Sequence, residues 1–329
     1  MAATTATVTA PEVSDLRRSD GAGARVDAGF RYLALGAGLL VLLVLGGIAI
    51  TTTQKAWPAL SFQGLSYFTS TDWNPNAQHF GAFVFIYGTF VVSAIALVVG
   101  VPMSIGIALF TTEIAPRRVR AVVITVIDLL AAIPSVVFGL WGLLVLAPHI
   151  SPIYDRISDA TQSIPLLGSL FAPGVRGTAY FTAGLILALM ITPIVTSVTR
   201  EVFNTVPRND KEGALALGAT RWEMIRGVVL PHASGGIVGA VMLGLGRAMG
   251  ETIAVVLVVG GNPRIFASLF GPGDTMPSEI ARNWGDSATT PHYQAALIGL
   301  GVTLFLLTII VNIAARWGVS RVDRRLKGV

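Results

Sequence analysis

The sequence contains no cysteine and few charged residues. Cysteine is absent from all 329 residues, which excludes disulfide bonds and thiolate metal sites. Asp, Glu, Lys and Arg make up 12% of the chain, whereas hydrophobic residues make up 53%. Soluble globular domains typically contain about 25% charged residues. The composition therefore excludes an ordinary soluble domain and indicates an integral membrane protein.

Residues typical of nucleotide hydrolysis and metal catalysis are also scarce. The three lysines, Lys55, Lys211 and Lys327, lie outside any GxxxxGK[ST] sequence, so the chain has no Walker phosphate-binding loop. The four histidines stand singly at the ends of apolar segments, and no HExxH motif occurs. We expect no catalytic residue, no metal site and no cofactor in this chain. A membrane enzyme should instead show His, Asp and Glu clustered at one end of a span.

Six apolar segments are long enough to cross a membrane, since a spanning helix needs about 20 residues. Prolines at positions 102 and 134 could each kink the helix that contains them. We predict an all-α membrane protein with six transmembrane helices at Tyr32–Thr52, Gly81–Phe110, Ala121–Ala147, Thr178–Thr199, Ser234–Val259 and Tyr293–Ala315.

Lysine and arginine are distributed unevenly between the segments that connect these helices. If both termini are cytoplasmic, 17 of them lie inside, 5 lie outside and Arg247 lies within a span. Because positive residues concentrate on the cytoplasmic side, we predict a multi-pass protein of the bacterial plasma membrane with both termini cytoplasmic. The net charge of +5 then reflects topology rather than nucleic-acid binding. The long outer loops fit either docking of a soluble partner or shielding of the helix bundle.

Two charged residues lie deep inside the fifth predicted span. Arg247 and Glu251 occur in LGLGRAMGETIAVVLVVGG, and their i, i+4 spacing puts both on one helix face, close enough to pair. Charges inside a membrane are costly and usually functional, so a positive charge here suggests a path for an anion. A structural ion pair that joins two helices is the alternative. The residues of this span do not decide between the two.

Two polar residues in the third predicted span are further candidates. Asp128 lies near its cytoplasmic end, where it could cap a helix or pair with Arg117 or Arg200, and we expect this structural role. Ser135 follows Pro134 and could offer its hydroxyl to a path. A hydrogen bond to its own helix backbone is the expected use of that hydroxyl.

The segment between the fourth and fifth spans predicts two short helices. It reads RNDKEGALALGATRWEMIRGVVLP, from Arg208 to Pro231. Capping-box patterns, in which Glu follows a polar residue by three positions, begin at Asn209 and at Thr220. Gly218 can adopt the left-handed conformation that ends a helix, and Pro231 is expected to close or kink the second one. An ordinary amphipathic loop is the alternative to a protein-docking segment.

Seven positions of this segment resemble the EAA motif of bacterial ABC importer permeases, EAA-x3-G-x9-I-x-LP. The matching positions are Glu212, Gly213, Ala214, Gly218, Val228, Leu230 and Pro231. Gly213 and Val228 depart from the motif in residue type. The resemblance covers residues 80–317 and implies the type I ABC importer permease fold (MetI-like), with five core helices preceded by one extra span. It also implies that the segment forms a coupling helix seated in a groove of an ATP-hydrolysing subunit.

This resemblance suggests the organisation of the chain. We expect a flexible cytoplasmic tail at 1–29 and the first transmembrane helix with its outer loop at 30–80. An ABC transmembrane type-1 core follows at 81–317 and includes the cytoplasmic coupling loop at 200–232. The last segment, 318–329, is a basic cytoplasmic tail.

Two further segments resemble phosphate-importer permeases. They are GRAMGETIAV at Gly246–Val255 and DLLAAIPSVVFGLWG at Asp128–Gly142. The outer segment FTSTDWNPNAQHFGAFVFIYGTF and the extra first span are more similar to the PstC type than to its PstA paralogue. The resemblance implies import of inorganic phosphate, with Arg247 and Glu251 on the substrate path. A permease for molybdate or sulfate, a PstA-type subunit, and a secondary anion carrier or channel are the alternatives.

The same resemblance implies several partners. ATP and Mg²⁺ would bind to a separate PstB-like ATPase dimer, a PstA-like paralogue would complete the path, and an extracytoplasmic PstS-like protein would deliver phosphate. Arginine suits this role because its guanidinium matches phosphate oxygens in bidentate geometry. Ionised, Glu251 would neutralise Arg247 between transport cycles, whereas protonated it could donate a hydrogen bond to the anion. The sequence leaves both roles open.

Overall fold

The computed structural model describes residues 21–172, 177–290 and 292–326, and these are mostly helical. Two short strands, β1 (Trp73–Asn74) and β2 (His79–Phe80), form an antiparallel hairpin. The helices are α1 (Gly21–Gln63), α2 (Ser66–Thr69), α3 (Phe83–Leu109), α4 (Arg117–Ala132), α5 (Ser135–Trp141), α6 (Ala147–Thr161), α7 (Leu167–Leu170), α8 (Tyr180–Asn204), α9 (Arg208–Ala216), α10 (Arg221–Met224), α11 (Leu230–Gly250), α12 (Ile253–Val258), α13 (Met276–Asn283) and α14 (Tyr293–Leu326).

Six helical segments in the described ranges are long and apolar enough to cross a membrane, which confirms the predicted number. All six overlap the predicted spans, but the third is shifted by 14 residues toward the C-terminus and the fifth begins 13 residues earlier than predicted. They run over Val26–Gln63, Phe83–Ile114, Ser135–Thr161, Tyr180–Asn204, Arg221–Gly250 and Tyr293–Trp317.

The chain divides into two units, residues 1–51 and residues 52–329. In the first unit, the part of α1 from Val26 onward has mostly exposed side chains. In the second unit, the end of α1 buries Ala56 and Ala59, so the helix continues to Gln63 instead of ending at Thr52. Most of the predicted tail at 1–29 lies outside the described residues, and positions 21–29 belong to α1.

The third predicted span, Ala121–Ala147, is wrong. The chain there forms α4, breaks at Ile133 and Pro134, and then runs as one helical segment over Ser135–Thr161. Ile133 is extended because the residue before a proline is disfavoured in the α conformation, and Pro134 is extended as well. With 16 residues, α4 is shorter than the ~20 that a spanning helix needs. It therefore belongs to the connection between the second and third spans.

Three π-helical turns each end two residues before a proline. The turns are Phe110–Ile114, Gly142–Leu146 and Ile225–Val229, and the prolines are Pro116, Pro148 and Pro231. Proline lacks an N–H donor, and its ring clashes with the carbonyl four residues earlier in a regular helix. A widened turn before it gives that ring room. Pro231 consequently does not close its helix, which continues to Gly250.

The contact between α3 and α8 forms the core of the second unit. A Cβ atom added at Gly184 would lie 2.4 Å from Ile95 Cγ2, so glycine is what allows this close approach. The Ser104 hydroxyl donates to the Thr192 carbonyl at 3.4 Å, and the Thr196 hydroxyl donates to the Ser104 carbonyl at 3.4 Å. With α11 and α12, the two helices bury a first cluster that includes Val92, Ala96, Ile186, Leu187, Ile191, Val195, Ala240 and Val255.

Two further clusters of this unit lie at the ends of the spans, beside a smaller one formed by Tyr154, Ala179 and Phe270. A second cluster joins the β1–β2 hairpin to α3, α13 and α14, and includes Tyr67, Trp73, Phe80, Phe85, Met276, Leu297 and Leu300. Trp73 packs edge-on against Phe80 and Phe85, so the connection after α1 has a folded apolar core. A third cluster joins the C-terminal ends of α3 and α8 to α10 and α11, and consists of Ala108, Phe203, Val206, Met224, Ile225, Val229 and Ala233.

Candidate functional site

The helix that carries Arg247 ends before Glu251. Helix α11 ends at Gly250, Glu251 is extended with φ −69° and ψ 128°, and α12 begins at Ile253. Glycine favours such a break because it has low helix propensity. The two charged residues therefore do not share a helix face, and the predicted i, i+4 pair is wrong. Inside a membrane, non-helical backbone occurs where it is buried in protein or lines a cavity.

Arg247 is exposed on the surface of this chain, beside a crevice lined by apolar side chains. The lining residues are Leu130, Ala131, Ile133, Phe138, Met190, Pro193 and Ile194. Since positions 190–194 are central in α8, Arg247 lies level with the middle of that helix. Within the described residues its guanidinium forms no ion pair or hydrogen bond. A charge at this depth needs water, a ligand or another protein around it.

Glu251 lines a different crevice, which is too narrow in this conformation to hold a water molecule. That crevice is lined by Thr89, Val92, Ser93, Leu187, Ala248, Met249, Val255 and Thr275. The Glu251 carboxylate accepts a hydrogen bond from the Ala254 amide at 3.3 Å, which positions it at the start of α12. Ser93 is buried, and its hydroxyl has no hydrogen-bond partner among the described residues. Sequence reasoning missed Ser93 because a single serine in an apolar helix carries no motif.

The two candidates from the third predicted span lie elsewhere than expected. Asp128 is exposed on α4 and forms no ion pair with Arg117, Arg200 or any other described residue. Ser135 is half-buried at the first position of α5. Its hydroxyl forms no hydrogen bond with another described residue. The chain breaks at Pro134, so no preceding helical turn supplies a carbonyl as acceptor.

The segment between the fourth and fifth spans folds as two helices joined by a glycine turn, as predicted. Gly218 has φ +87°, in the left-handed region. Thr220 and Glu223 form the predicted capping box, in which the Glu223 carboxylate accepts from the Thr220 amide at 2.8 Å. The box predicted at Asn209 is wrong: α9 already begins at Arg208, after Pro207, with no side-chain cap.

Most of the motif residues in this segment are accessible. Glu212, Gly213, Gly218 and Pro231 are exposed, whereas Ala214 and Leu230 are half-buried. A Cβ added at Gly213 would meet nothing within 4 Å, so α9 presents a face with little side-chain bulk.

Two large apolar side chains beside the motif were not singled out from the sequence. Leu217 is 91% exposed and Trp222 is 62% exposed. Large apolar side chains next to a glycine turn, one just before the fifth apolar helical segment and one at its start, are the signal that could have identified them. Exposed apolar groups beside an open helix face are typical of a protein-binding surface.

A buried polar cluster lies in the connection between the fifth and sixth spans. Asp274 is fully buried and pairs with Arg282, and it also accepts a hydrogen bond from the Ser278 hydroxyl. The Met276 amide donates to the Thr89 hydroxyl at 3.0 Å, which ties this connection to α3. Sequence reasoning missed this cluster, because isolated carboxylates in a long outer loop give no burial signal.

Glu279 in this cluster predicts a pH dependence of stability. Burial, followed by the nearby Asp274 charge, raises its pKa from 4.5 to about 7. The folded state holds the Glu279 proton more tightly than the unfolded state, so protonation of Glu279 stabilises the fold. This contribution is complete below pH 4.5 and is lost as the pH rises through about 7. We expect the thermal midpoint of the detergent-purified chain to fall over this range, and Glu279→Gln to remove that part of the fall. Equal pH profiles for the variant and the wild-type chain would contradict the assignment.

Comparison with known proteins identifies the family. The model of the family described as "Binding-protein-dependent transport system inner membrane component" matches residues 100–328. The chain belongs to this family. As a binding-protein-dependent transport component it is a multi-pass membrane protein, in agreement with its six apolar helices.

Curated relatives of this transport component match over nearly its whole length. A Mesorhizobium japonicum protein named "Phosphate transport system permease protein PstC" is 44% identical over 92% of each chain. A Xylella fastidiosa protein of the same name is 42% identical over 98% of this chain and 99% of its own. A Mycobacterium tuberculosis protein named "Phosphate transport system permease protein PstC 2" is 42% identical over 87% and 90%. These relatives are named as permeases rather than as enzymes.

Solved structures confirm the predicted fold. A chain of a bacterial alginate ABC transporter, crystallised with an alginate-bound periplasmic protein, has a TM-score of 0.60 at 17% identity. The match covers 91% of this chain and 97% of the other. A second alginate transporter structure has a TM-score of 0.59 at 18% identity. The transport component has the type I ABC importer permease fold.

Proposed function

We propose that this chain is the transmembrane permease subunit of an ATP-driven importer for inorganic phosphate, of the PstC type. The names of relatives at 42–44% identity support phosphate as the substrate. The chain lacks a Walker loop, so ATP hydrolysis takes place on separate ATPase subunits.

The observation that carries this proposal is the unpaired, exposed guanidinium of Arg247, level with the middle of α8. A fixed positive charge at that depth favours passage of an anion. Its planar N–H donors match phosphate oxygens, and guanidinium stays charged at all physiological pH values. Exposure on this chain's own surface agrees with a path completed by a paralogous, PstA-like permease.

Glu251 is the second residue of the proposed path. It follows the break after Gly250, four residues after Arg247, and lines its own crevice. Because the two side chains are not paired in this conformation, Arg247 is available to an anion. A change of conformation that brings the carboxylate to Arg247 would displace the anion and keep its binding weak enough for release.

The segment from Glu212 to Pro231 is the proposed coupling loop to a PstB-like ATPase dimer. Its exposed motif residues and the apolar side chains of Leu217 and Trp222 support docking of a protein surface. Both termini and this segment are then cytoplasmic, in agreement with the distribution of lysine and arginine. A PstS-like protein would deliver phosphate at the opposite side. Closure of the ATPase dimer would tilt the spans and alternate access to the path.

Reconstitution of the complete transporter in vesicles tests this function. We expect phosphate-loaded binding protein to stimulate ATP hydrolysis and to drive uptake of radiolabelled phosphate. Vesicles without ATP and vesicles with ligand-free binding protein are the controls. Stimulation only by molybdate or sulfate, each with its own binding protein, would assign the permease to another oxyanion. Phosphate uptake by the chain without any ATPase subunit would indicate a secondary carrier or channel instead.

A further inference from the structure

One lysine on the coupling segment connects three elements. The Lys211 ammonium on α9 lies 2.7 Å from the Glu113 carboxylate, which belongs to the π-helical turn after α3. The same ammonium donates to the carbonyl of Phe203, in the last turn of α8, at 3.4 Å. The side chains of Lys211 and Glu113 are only 18% and 9% exposed. This partly buried ion pair therefore joins α9 to the ends of both α3 and α8.

Few other contacts hold α9 against the rest of the chain. None of its side chains is fully buried, and only the half-buried Ala214 packs against the third cluster. On the other side of the pair, Arg120 donates to the Thr112 carbonyl at 2.7 Å and supports the π-helical turn from α4. The π-helical turn that carries Glu113 is thus held in place by α4. Among the described residues, the Lys211–Glu113 ion pair is the principal polar contact between α9 and the rest of the chain.

The helices that receive this contact also line both crevices of the proposed path. Helix α8 contributes Met190 and Pro193 to the crevice of Arg247 and Leu187 to the crevice of Glu251. Helix α3 contributes Val92 and Ser93 to the crevice of Glu251. Since α3 and α8 are closely packed over their length, a displacement of their cytoplasmic ends moves both linings together.

We infer that the Lys211–Glu113 ion pair transmits movement of the coupling helix α9 to the α3–α8 pair and so to the substrate path. Lys211 and Glu113 are positioning residues, which contact neither phosphate nor nucleotide. This role rests on the proposed function of the 212–231 segment as the coupling loop. Without this ion pair, closure of the ATPase dimer would shift α9 with a smaller displacement of α3 and α8.

The test measures how strongly phosphate-loaded binding protein stimulates ATP hydrolysis by the reconstituted transporter, relative to the basal rate of the same variant. We expect Lys211→Met and Glu113→Gln each to lower this ratio by about fivefold or more, the lower end of typical couplings between two sites. Glu201→Gln is the matched control, because it removes an exposed carboxylate from α8 and should keep the wild-type ratio. Co-purification with the ATPase reports assembly for each variant.

A chemical rescue distinguishes loss of the charge at position 211 from a defect in assembly, because the charge is restored in transporter that is already assembled. Because the chain has no cysteine, Lys211→Cys introduces its only thiol. Alkylation of that thiol with bromoethylamine releases bromide and leaves a side chain with the length and charge of lysine, which should restore stimulation. Iodoacetamide, which leaves a neutral side chain, should not restore it. Wild-type transporter treated with both reagents controls for cysteines of the partner subunits.

The possible results discriminate between the inference and the function on which it rests. The role of the ion pair would be overturned by wild-type ratios in Lys211→Met and Glu113→Gln, or by equal rescue of Lys211→Cys with both reagents. Loss of assembly in all three of these variants would also overturn it. A wild-type transporter that phosphate-loaded binding protein does not stimulate would instead contradict the proposed function.

Discussion

Phosphate uptake is expected to fall about 30-fold or more when Arg247 is replaced by alanine. Removing a charged partner from a desolvated polar contact typically costs about 2–5 kcal/mol, and each 1.4 kcal/mol corresponds to about tenfold. Since Arg247 makes no ion pair or hydrogen bond within the described chain, its removal should leave assembly and ATP binding intact. Uptake of radiolabelled phosphate into vesicles, compared with nucleotide binding by the same preparation, measures both effects.

Two variants make this experiment specific. Arg247→Lys keeps the charge but loses the bidentate geometry, so it should transport at a rate between those of alanine and wild type. Arg156→Ala removes another exposed arginine, on α6, and should transport normally. Normal uptake by Arg247→Ala would exclude Arg247 from the substrate path.

The largest stability effect is expected for Gly88→Ala. A Cβ atom at Gly88 would lie 1.9 Å from the backbone oxygen of Asp274, and that oxygen cannot move away as a flexible side chain could. Asp274 is itself held by Arg282 and Ser278. We expect a loss of about 3 kcal/mol, the upper end for overpacking of a protein interior. Thermal unfolding of the purified full-length chain in detergent, followed by tryptophan fluorescence, measures the shift in midpoint.

Gly106→Ala on the same helix is the matched control. A Cβ atom at that position would meet nothing within 4 Å. Alanine should leave stability unchanged or raise it by roughly 0.5–1 kcal/mol, because glycine is unfavourable in a helix interior. Equal midpoints for the two variants would contradict the close contact between α3 and the connection that contains Asp274.

The membrane class, the number of spans and the helix–turn–helix between the fourth and fifth spans could all be predicted from sequence. Long apolar runs, charge asymmetry, Gly218 and the Thr220–Glu223 pattern are local signals, and local signals survive without knowledge of the packing. The third span could not be placed correctly, because Pro134 and Pro148 look equivalent in sequence. One breaks the helix, and the other is accommodated by a π-helical turn.

The two charged residues of the candidate path stand out from the sequence alone. Arg247 and Glu251 were selected because charge in an apolar segment is costly wherever it lies. Their pairing was wrong, since four-residue spacing implies contact only if the helix is continuous, and this helix ends at Gly250. The unpartnered Ser93 hydroxyl could not be selected, because its burial depends on α8 and on α11 with its continuation, which are distant in sequence.

The amino-acid sequence by itself determined that this chain crosses a membrane six times, lacks a nucleotide-binding loop and carries an arginine deep in an apolar segment. These properties follow from composition and from patterns within about 20 residues, the length of one span. Only the tertiary structure decided that Arg247 and Glu251 face separate crevices. It also decided that Lys211 reaches Glu113 and that Asp274 and Glu279 are buried. Such contacts join residues far apart in the chain, and their geometry depends on how the helices break, widen and pack.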